Sequence, residues 1–328
     1  MTSEGPQPST TSSAPVRQVR PPAPSSVSEE AQAYLSLPSF IDVMQKPALE
    51  DVEGWVKFIR ARDLPVIDMF APLMPPPEAV ERGEIDADGV RTYTLRPVEA
   101  DPDGPLFLEL HGGALIQCGG DLAWMLAMPA ALGRAGTTWV PDYRMPPRYP
   151  YPAALDDCIA VYKRALAERS PEQIVVSGGS AGGNLAAALL LRAKNEGLPM
   201  PAAVVLLTPE LDLTESGDSF KTNNGIDLIV PFELENALYA AGADLAHPYL
   251  SPLFGDVTGF PPTFLQTGTR DLFLSNTVRM HRRLLKAGVS VELHVFEAMP
   301  HGSFGGSAPE DLELLAEVRR FEREHLGT

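Results

Sequence analysis

Ser180 is the first candidate for chemistry, because it stands among small residues between a predicted strand and a predicted helix. Gly178-Gly179-Ser180-Ala181-Gly182 follows the β-branched run at 174–177 and precedes an Ala/Leu-rich run at 184–191. A G-x-S-x-G in this context predicts a sharp turn that exposes a nucleophilic serine, and glycine tolerates the strained backbone of such a turn. The pattern therefore indicates nucleophilic acyl transfer.

A second small-residue turn could supply the hydrogen-bond donors that acyl transfer requires. His111-Gly112-Gly113-Ala114 directly follows the apolar run at 106–110, which predicts another strand. Backbone N–H groups of the Gly112–Ala114 turn, with the N–H of Ala181, could bind the developing oxyanion. The turn has neither the phosphate-binding loop pattern nor the spacing of a dinucleotide site, so it predicts no nucleotide cofactor.

Asp271 and His301 are the candidates for the acid and the base. Asp271 follows the predicted strand 263–267, and His301 follows the predicted strand 291–296. Loops after neighbouring parallel strands lie at one edge of the sheet, so we expect both residues at the edge that carries Ser180. Asp212, after the predicted strand 203–207, is the rival acid. Asp271 is preferred because only one helix and one strand separate it from His301.

The chain resembles the hormone-sensitive-lipase-like group of bacterial esterases, which has the α/β-hydrolase fold. The resemblance covers roughly residues 85–325, and its motifs occur in the expected order. The matching residues are His111-Gly112-Gly113, Asp142-Tyr143-Arg144, Tyr151-Pro152-Ala153-Ala154-Leu155-Asp156-Asp157, Gly178 to Leu185, Gly268-Thr269-Arg270-Asp271 and Met299-Pro300-His301-Gly302. The resemblance implies an α/β fold with a mostly parallel eight-stranded sheet, flanking helices and a helical cap.

The resemblance also implies roles for the candidate residues. Ser180, Asp271 and His301 would form the catalytic triad, in the chain order of the α/β-hydrolase arrangement. The oxyanion donors would be Gly113, Ala114 and Ala181, with the adjoining Gly112 left open. Two departures stand out: the family has a third glycine where this chain has Ala114, and an acidic residue where it has Gly179.

The predicted function is a serine carboxylesterase that hydrolyses small to medium acyl esters through an acyl-enzyme on Ser180, without a cofactor or a metal. A lactone, thioester or amide hydrolase would use the same triad and stays open. A non-catalytic small-molecule receptor could have the same fold, but the presence of Ser180, Asp271 and His301 together weighs against it.

Composition divides the chain into three parts. Residues 1–27 are rich in Pro, Ser and Thr, which predicts a disordered tail. Residues 28–72 have helical spacing of apolar side chains, which predicts N-terminal cap helices. Residues 73–328 form the predicted catalytic domain, with a cap insertion at about 216–248. Residues 222–225 predict a mobile turn between the parts.

Charge and cysteine content restrict the possible partners and location. The net charge of −17 argues against binding to nucleic acid. Two cysteines, Cys118 and Cys158, are too few for a disulfide framework, and no cluster has the spacing of metal ligands. No apolar run is long enough to span a membrane, and no secretory signal is evident, so we expect a cytoplasmic protein. The sequence is compatible with a homodimer.

Overall fold

A single eight-stranded sheet runs through the computed structural model, which describes residues 20–37, 44–71, 74–76 and 78–327. The strands within these ranges follow in the order β1-β2-β4-β3-β5-β6-β7-β8, with β2 antiparallel to β1 and β4 and all other neighbours parallel. The predicted mostly parallel eight-stranded sheet is confirmed. The strands are β1 (Val80–Ala87), β2 (Val90–Pro97), β3 (Leu106–Leu110), β4 (Thr137–Pro141), β5 (Ile174–Gly179), β6 (Ala203–Leu207), β7 (Thr263–Gly268) and β8 (Val291–Phe296).

Helices precede the sheet, connect its strands and follow the last of them. Within the described residues, no helix is both long and apolar enough to cross a lipid bilayer. The helices are α1 (Glu29–Leu35), α2 (Val52–Phe70), α3 (Asp121–Ala131), α4 (Ala153–Glu168), α5 (Ala181–Asn195), α6 (Ser219–Thr222), α7 (Glu233–Ala240), α8 (Leu274–Lys286) and α9 (Pro309–Leu326).

Alternating side chains of the central strands bury the two faces of the sheet. In β3, Leu106, Leu108 and Leu110 belong to one large core with α4, α5 and α8, whereas Phe107 packs with α9. This alternation follows from the two-residue period of a strand. Because helices cover both faces, the central strands β3, β5 and β6 are largely apolar, and the candidate catalytic side chains lie in the loops at the carboxyl ends of the strands.

A separate apolar cluster lies at the carboxyl edge of the sheet, and we call it the carboxyl-edge cluster. It joins helices that are far apart in sequence to two loops of the sheet. Its buried members are Trp55 and Phe58 of α2, Ala114 and Ile116 after β3, Phe220 of α6, Phe232 and Leu238 at α7, and Leu272 and Phe273 after β7. The N-terminal helix α2 and the insertion between β6 and β7 therefore meet where the sheet edge carries its loops.

The segment before α1 contacts parts of the chain that are distant in sequence. Residues 1–19 of the predicted disordered tail lie outside the described part of the chain, whereas Val27 is only 7% exposed and packs with α1 and Phe304. Arg20 donates a hydrogen bond from Nε to the Ile226 carbonyl (3.0 Å), and Arg270 donates to the Pro22 carbonyl (2.7 Å). Residues 20–27 therefore have both apolar and hydrogen-bonded partners in the rest of the protein.

Candidate active site

Ser180 occupies the turn between β5 and α5, as the motif predicted. Its backbone lies in the positive-φ region (φ 55°, ψ −121°), which a residue with a side chain rarely adopts. Two hydrogen bonds fix this conformation: Ser180 N–H donates to the Leu207 carbonyl (2.9 Å), and Glu210 N–H donates to the Ser180 carbonyl (3.1 Å). The start of α5 and the end of β6 together hold the serine at the carboxyl edge.

Two glycines of the motif are required by close packing, and a third is not. A Cβ on Gly182 would lie 1.9 Å from the Leu110 carbonyl oxygen, and a Cβ on Gly178 would lie 2.4 Å from the Gly182 carbonyl carbon. A Cβ on Gly179 would meet nothing closer than the Leu207 carbonyl oxygen at 3.7 Å, an ordinary contact. The position at which the family has an acidic residue is therefore open to a side chain.

The candidate oxyanion loop approaches Ser180 closely and has free backbone donors. A Cβ on Gly112 would lie 3.5 Å from Ser180 Cβ. Gly113 and Ala114 have positive φ angles of 124° and 51°, and within the described residues their N–H groups donate to no protein acceptor. Ala181 is the first residue of α5, where backbone N–H groups have no partner within the helix. These groups are available to an anionic ligand atom.

His111 and Tyr143 hold the beginning of this loop. The two rings stack with centroids 4.1 Å apart, and the Tyr143 hydroxyl donates to the His111 carbonyl (2.7 Å). The imidazole Nδ1 lies 2.8 Å from the Gly112 carbonyl, to which its N–H donates. Burial lowers the pKa of His111 to about 4, so the ring is neutral at physiological pH. This histidine orients the loop and does not serve as a base.

A carboxylate on α2 holds the other end of the loop. Asp63 accepts a hydrogen bond from the Cys118 N–H (3.2 Å), and burial raises the pKa of this carboxyl group. Cys118 itself is buried, which raises the pKa of its thiol to about 12 and leaves it unreactive as a nucleophile. The oxyanion loop is thus anchored at one end by the sheet domain and at the other by the N-terminal helix.

Asp271 and His301 form a buried pair on neighbouring loops after β7 and β8. His301 Nδ1 lies 3.0 Å from Asp271 Oδ1, and the carboxylate has no exposed surface. Thr267 Oγ1 donates to Asp271 Oδ2 (2.7 Å), and the Phe273 N–H donates to Oδ1 (3.0 Å), the oxygen that also faces His301. Although burial opposes protonation of the imidazole, the Asp271 carboxylate raises the pKa of His301, and Asp227 adds to this effect. The geometry fixes the ring so that its other nitrogen is free to act.

Asp212, the rival acid, is engaged elsewhere. It accepts from the Ser216 hydroxyl (2.6 Å), from the Thr214 N–H (3.0 Å) and from Arg279 Nη1 (2.7 Å). Although burial would raise it, the pKa of Asp212 is lowered by these hydrogen bonds and by the Arg279 charge. The carboxylate therefore stabilises the loop after β6 and is not paired with His301.

Sequence reasoning missed two side chains of the insertion that contact the acid and base loops. Asn223, in the predicted mobile turn, is buried and donates from Nδ2 to the carbonyls of Asp271 (2.8 Å) and Thr269 (3.2 Å). Asp227 accepts a hydrogen bond from the His301 N–H (2.8 Å). The prediction of a mobile turn is wrong for Asn223, because its amide satisfies carbonyls of a loop 46–48 residues away. No local motif signals such contacts.

Within the described residues, the one group of side chains close enough to bind a metal ion is Asp227, Asp271 and His301. One ligand atom from each lies within 4.8 Å of the others. Their hydrogen bonds account for this proximity: Asp271 Oδ1 is paired with His301 Nδ1, and both Asp227 oxygens accept from backbone N–H groups. The arrangement is that of a hydrogen-bonded acid–base pair with a second carboxylate beside it.

Comparisons with known proteins agree with this geometry. The α/β hydrolase fold family matches residues 107–305. An esterase of Acinetobacter venetianus is 31% identical over 272 residues, which are 78% of this chain and 86% of that protein. An acetyl-hydrolase of Streptomyces hygroscopicus is 33% identical over 234 residues, 70% of this chain and 75% of the relative.

Solved structures extend the similarity to nearly the whole chain. The crystal structure of esterase E25 is 35% identical with a TM-score of 0.84 and covers 95% of this chain and 99% of its own. That of an esterase from the bacterial hormone-sensitive lipase family is 27% identical with a TM-score of 0.77, covering 91% and 99%. The chain therefore belongs to the α/β-hydrolase family, within its hormone-sensitive-lipase-like group of bacterial esterases, and is a carboxylic-ester hydrolase.

Proposed function

We propose that the protein is a serine carboxylesterase that forms an acyl-enzyme on Ser180. The observation that carries this proposal is the buried Asp271–His301 pair, with Nδ1 and Oδ1 3.0 Å apart, at the sheet edge that also holds the strained Ser180 turn. In this mechanism His301 removes the hydroxyl proton while Ser180 Oγ attacks the ester carbonyl. Asp271 keeps the proton on Nδ1 and stabilises the imidazolium that forms.

The tetrahedral intermediate carries an oxyanion that needs donors. We assign this role to the N–H groups of Gly113, Ala114 and Ala181, with Gly112 as the neighbouring alternative. The assignment is supported by the absence of protein acceptors for the N–H groups of Gly113 and Ala114 among the described residues. Each such donor is typically worth about 100- to 1000-fold in rate.

Three further proton transfers complete the acyl-enzyme and then hydrolyse it. The imidazolium of His301 gives its proton to the leaving alcohol, which departs as the carbonyl re-forms. Water next enters, loses a proton to His301 and attacks the acyl carbon, and Ser180 Oγ recovers the proton as the carboxylic acid leaves. The protein needs no redox group or cofactor for these steps, because bonds are only exchanged between acyl carbon and oxygen.

We propose that α2 and the insertion at about 216–248 form the cap of the catalytic domain. The carboxyl-edge cluster supports this division, because it joins Trp55 of α2 and Phe232 beside α7 to the two loops that flank the site. A cavity of about 590 Å³ between α2 and residues 142–149 includes Ile116, beside the candidate oxyanion loop, whereas Ser180, Asp271 and His301 do not line it. We propose that it receives the acyl chain of small to medium esters, because it adjoins that loop.

Two measurements with Ser180→Ala test the mechanism. The substitution removes only the nucleophile, so we expect an unchanged melting temperature and hydrolysis lowered by about three orders of magnitude or more. A fluorophosphonate probe should label the unsubstituted protein and not the variant. Near-normal turnover in a folded Ser180→Ala protein, or labelling that persists in it, would exclude Ser180 as the nucleophile.

Substrate class is tested with chromogenic esters of increasing acyl length beside a lactone, a thioester and an anilide. We expect the highest kcat/KM for short and medium esters, falling once the acyl chain exceeds the cavity. A preference of tenfold or more for the lactone, thioester or anilide would replace the ester assignment while leaving the triad in place.

A further inference from the structure

Asp227 is a fully buried carboxylate in the insertion between α6 and α7, outside the proposed triad. It accepts three backbone hydrogen bonds. Oδ1 accepts from the N–H groups of His301 (2.8 Å) and Leu228 (2.6 Å), and Oδ2 accepts from the N–H of Leu272 (2.5 Å). One of these donors is the proposed base itself, and another is the residue that follows the proposed acid.

A single carboxylate thereby joins the acid loop to the base loop. Hydrogen bonds to an ionised acceptor are shorter and stronger than neutral ones. Because the carboxylate is planar and rigid, its two oxygens fix the separation of the Leu272 and His301 amides. Asn223 reinforces the same loop through the Asp271 carbonyl, and the Ser219 hydroxyl donates to the Leu272 carbonyl (2.7 Å). Hydrogen bonds from the insertion therefore hold the Asp271–His301 pair in place.

Asp227 is also a charge beside the imidazole. Burial and the neighbouring Asp271 carboxylate raise the pKa of Asp227 to about 6, so it is mostly ionised above neutral pH. The titratable and charged groups that face it from the packed elements are Asp271, His301 and Tyr34 of α1, with Arg20 bonded to the adjacent Ile226 carbonyl. His301 therefore lies between two carboxylates, and both favour its protonated form.

We propose that Asp227 is a positioning residue of the active site. It holds His301 and the Asp271 loop in a fixed relative position and places a second negative charge beside the imidazole. The inference rests on the triad of the proposed function. It assigns to the insertion a direct part in the acid–base geometry, in addition to covering the site. It predicts that loss of the charge alters both the rate and its pH dependence.

Asp227→Asn is the central variant, studied in the full chain beside Asp218→Asn. Asp218 is a matched control because it lies in the same insertion, is exposed, and has no side-chain hydrogen bond within the described residues. In Asp227→Asn the amide nitrogen must face a backbone N–H, so kcat should fall about 100-fold with KM changed less than about threefold. The acidic limb of kcat/KM should move about half to one unit to lower pH. Asp218→Asn should match the unsubstituted protein.

A second variant and a direct titration separate positioning from folding. Asp227→Ser removes the charge with a smaller side chain that can still accept one hydrogen bond, and it should shift the acidic limb in the same direction. NMR titration of His301 in Ser180→Ala, with and without Asp227→Asn, should show a lower pKa when the carboxylate is absent. Melting temperatures establish that each protein is folded.

The outcomes distinguish this inference from the proposed function. Unchanged kcat and an unshifted acidic limb in folded Asp227→Asn overturn the positioning role, as does failure of both the Asn and Ser variants to fold. Persistence of activity in Ser180→Ala would instead overturn the triad mechanism, whatever Asp227 does. If Ser180→Ala is inactive and the probe labels Ser180, a null result at Asp227 removes this inference alone.

Discussion

The proposed nucleophile and the proposed acid–base pair of this site are held by different kinds of contact. On the nucleophile side, Gly178 and Gly182 let the backbone of α5 approach β3 and β5 more closely than any Cβ would permit. On the acid–base side, buried side chains of the insertion hydrogen-bond to loop backbone, with Asn223 on the Asp271 carbonyl and Asp227 on the His301 amide. Both sides also depend on residues that are distant in sequence: Gly182 packs against the Leu110 carbonyl, and Asp227 accepts from amides 45–74 positions away.

This difference determines how each side responds to substitution. Where backbone packs against backbone there is no room for an added side chain, so extra volume destabilises the fold. These contacts involve no charge, so substitutions that remove a charge do not test them. A network of buried carboxylates and amides responds to changes in charge and donor direction, whereas its shape can be preserved by isosteric replacement. Each side can therefore be perturbed separately by substitution.

The acid–base side should be most sensitive to the identity of the acid. Asp271→Asn keeps the shape but holds His301 in the wrong tautomer, so kcat should fall by about 10,000-fold. Asp212→Asn loses its bond to Arg279 on a loop not paired with His301, and turnover should fall by less than about tenfold. Steady-state kinetics on both variants, matched for melting temperature, check this. A greater loss of activity in Asp212→Asn would move the acid to the loop after β6.

The nucleophile side should be most sensitive to added volume. Gly182→Ala places a methyl against the Leu110 carbonyl, so we expect a loss of about 3 kcal/mol in the free energy of unfolding and a reduced kcat. Gly179→Ala has ordinary contacts and should change stability by less than about 0.5 kcal/mol. Urea denaturation measures the change in the free energy of unfolding, and burst kinetics measure the change in turnover. Equal losses in the two variants would mean that close packing does not decide the geometry of this turn.

The pH dependence should report His301. Its pKa is raised by Asp271 and Asp227 against the effect of burial, so activity on a neutral ester should rise with pH and reach half its maximum above about pH 6.5. The stability contribution of this group has the opposite sign: it is fully present below about pH 6.5 and is lost as pH rises through the folded-state pKa. Rates of ester hydrolysis and free energies of unfolding in urea, both measured from pH 5 to 9, test these two pH dependences. A rate that does not change with pH while chemistry is rate-limiting contradicts a histidine base.

The smallest effect is expected at the N-terminus. Removal of residues 1–19 takes away few apolar side chains and should leave turnover and the melting temperature unchanged within about 1 °C. Removal of residues 1–27 also deletes buried Val27 and the partners of Ile226 and Arg270, so it should lower stability by about 1–2 kcal/mol. Calorimetry of the two truncations compares them. Identical melting temperatures would mean that these contacts add nothing to stability.

The parts of the site that the sequence predicted are those that carry a recognisable motif. The small-residue motif predicted the strand–turn–helix at Ser180, and the α/β-hydrolase resemblance placed Asp271 and His301 after β7 and β8. Composition and spacing did not indicate the contacts made by residues 20–27 and by Asn223. Their partners, such as Phe304 and the Asp271 carbonyl, are distant in sequence, so no local pattern identifies them.

The sequence alone predicts the strands that precede the site loops, the small-residue turns at Gly112–Ala114 and Gly178–Gly182, and the resemblance to the esterase group. The completed fold shows that Asp271 and not Asp212 pairs with His301, that Gly179 has room for a side chain, and that Asp227 joins the loops of Asp271 and His301. The distinction follows from how far along the chain each physical effect acts. Propensity and turn sterics act within a few residues of the chain, whereas a buried carboxylate is stabilised by whichever amides the completed fold brings to it.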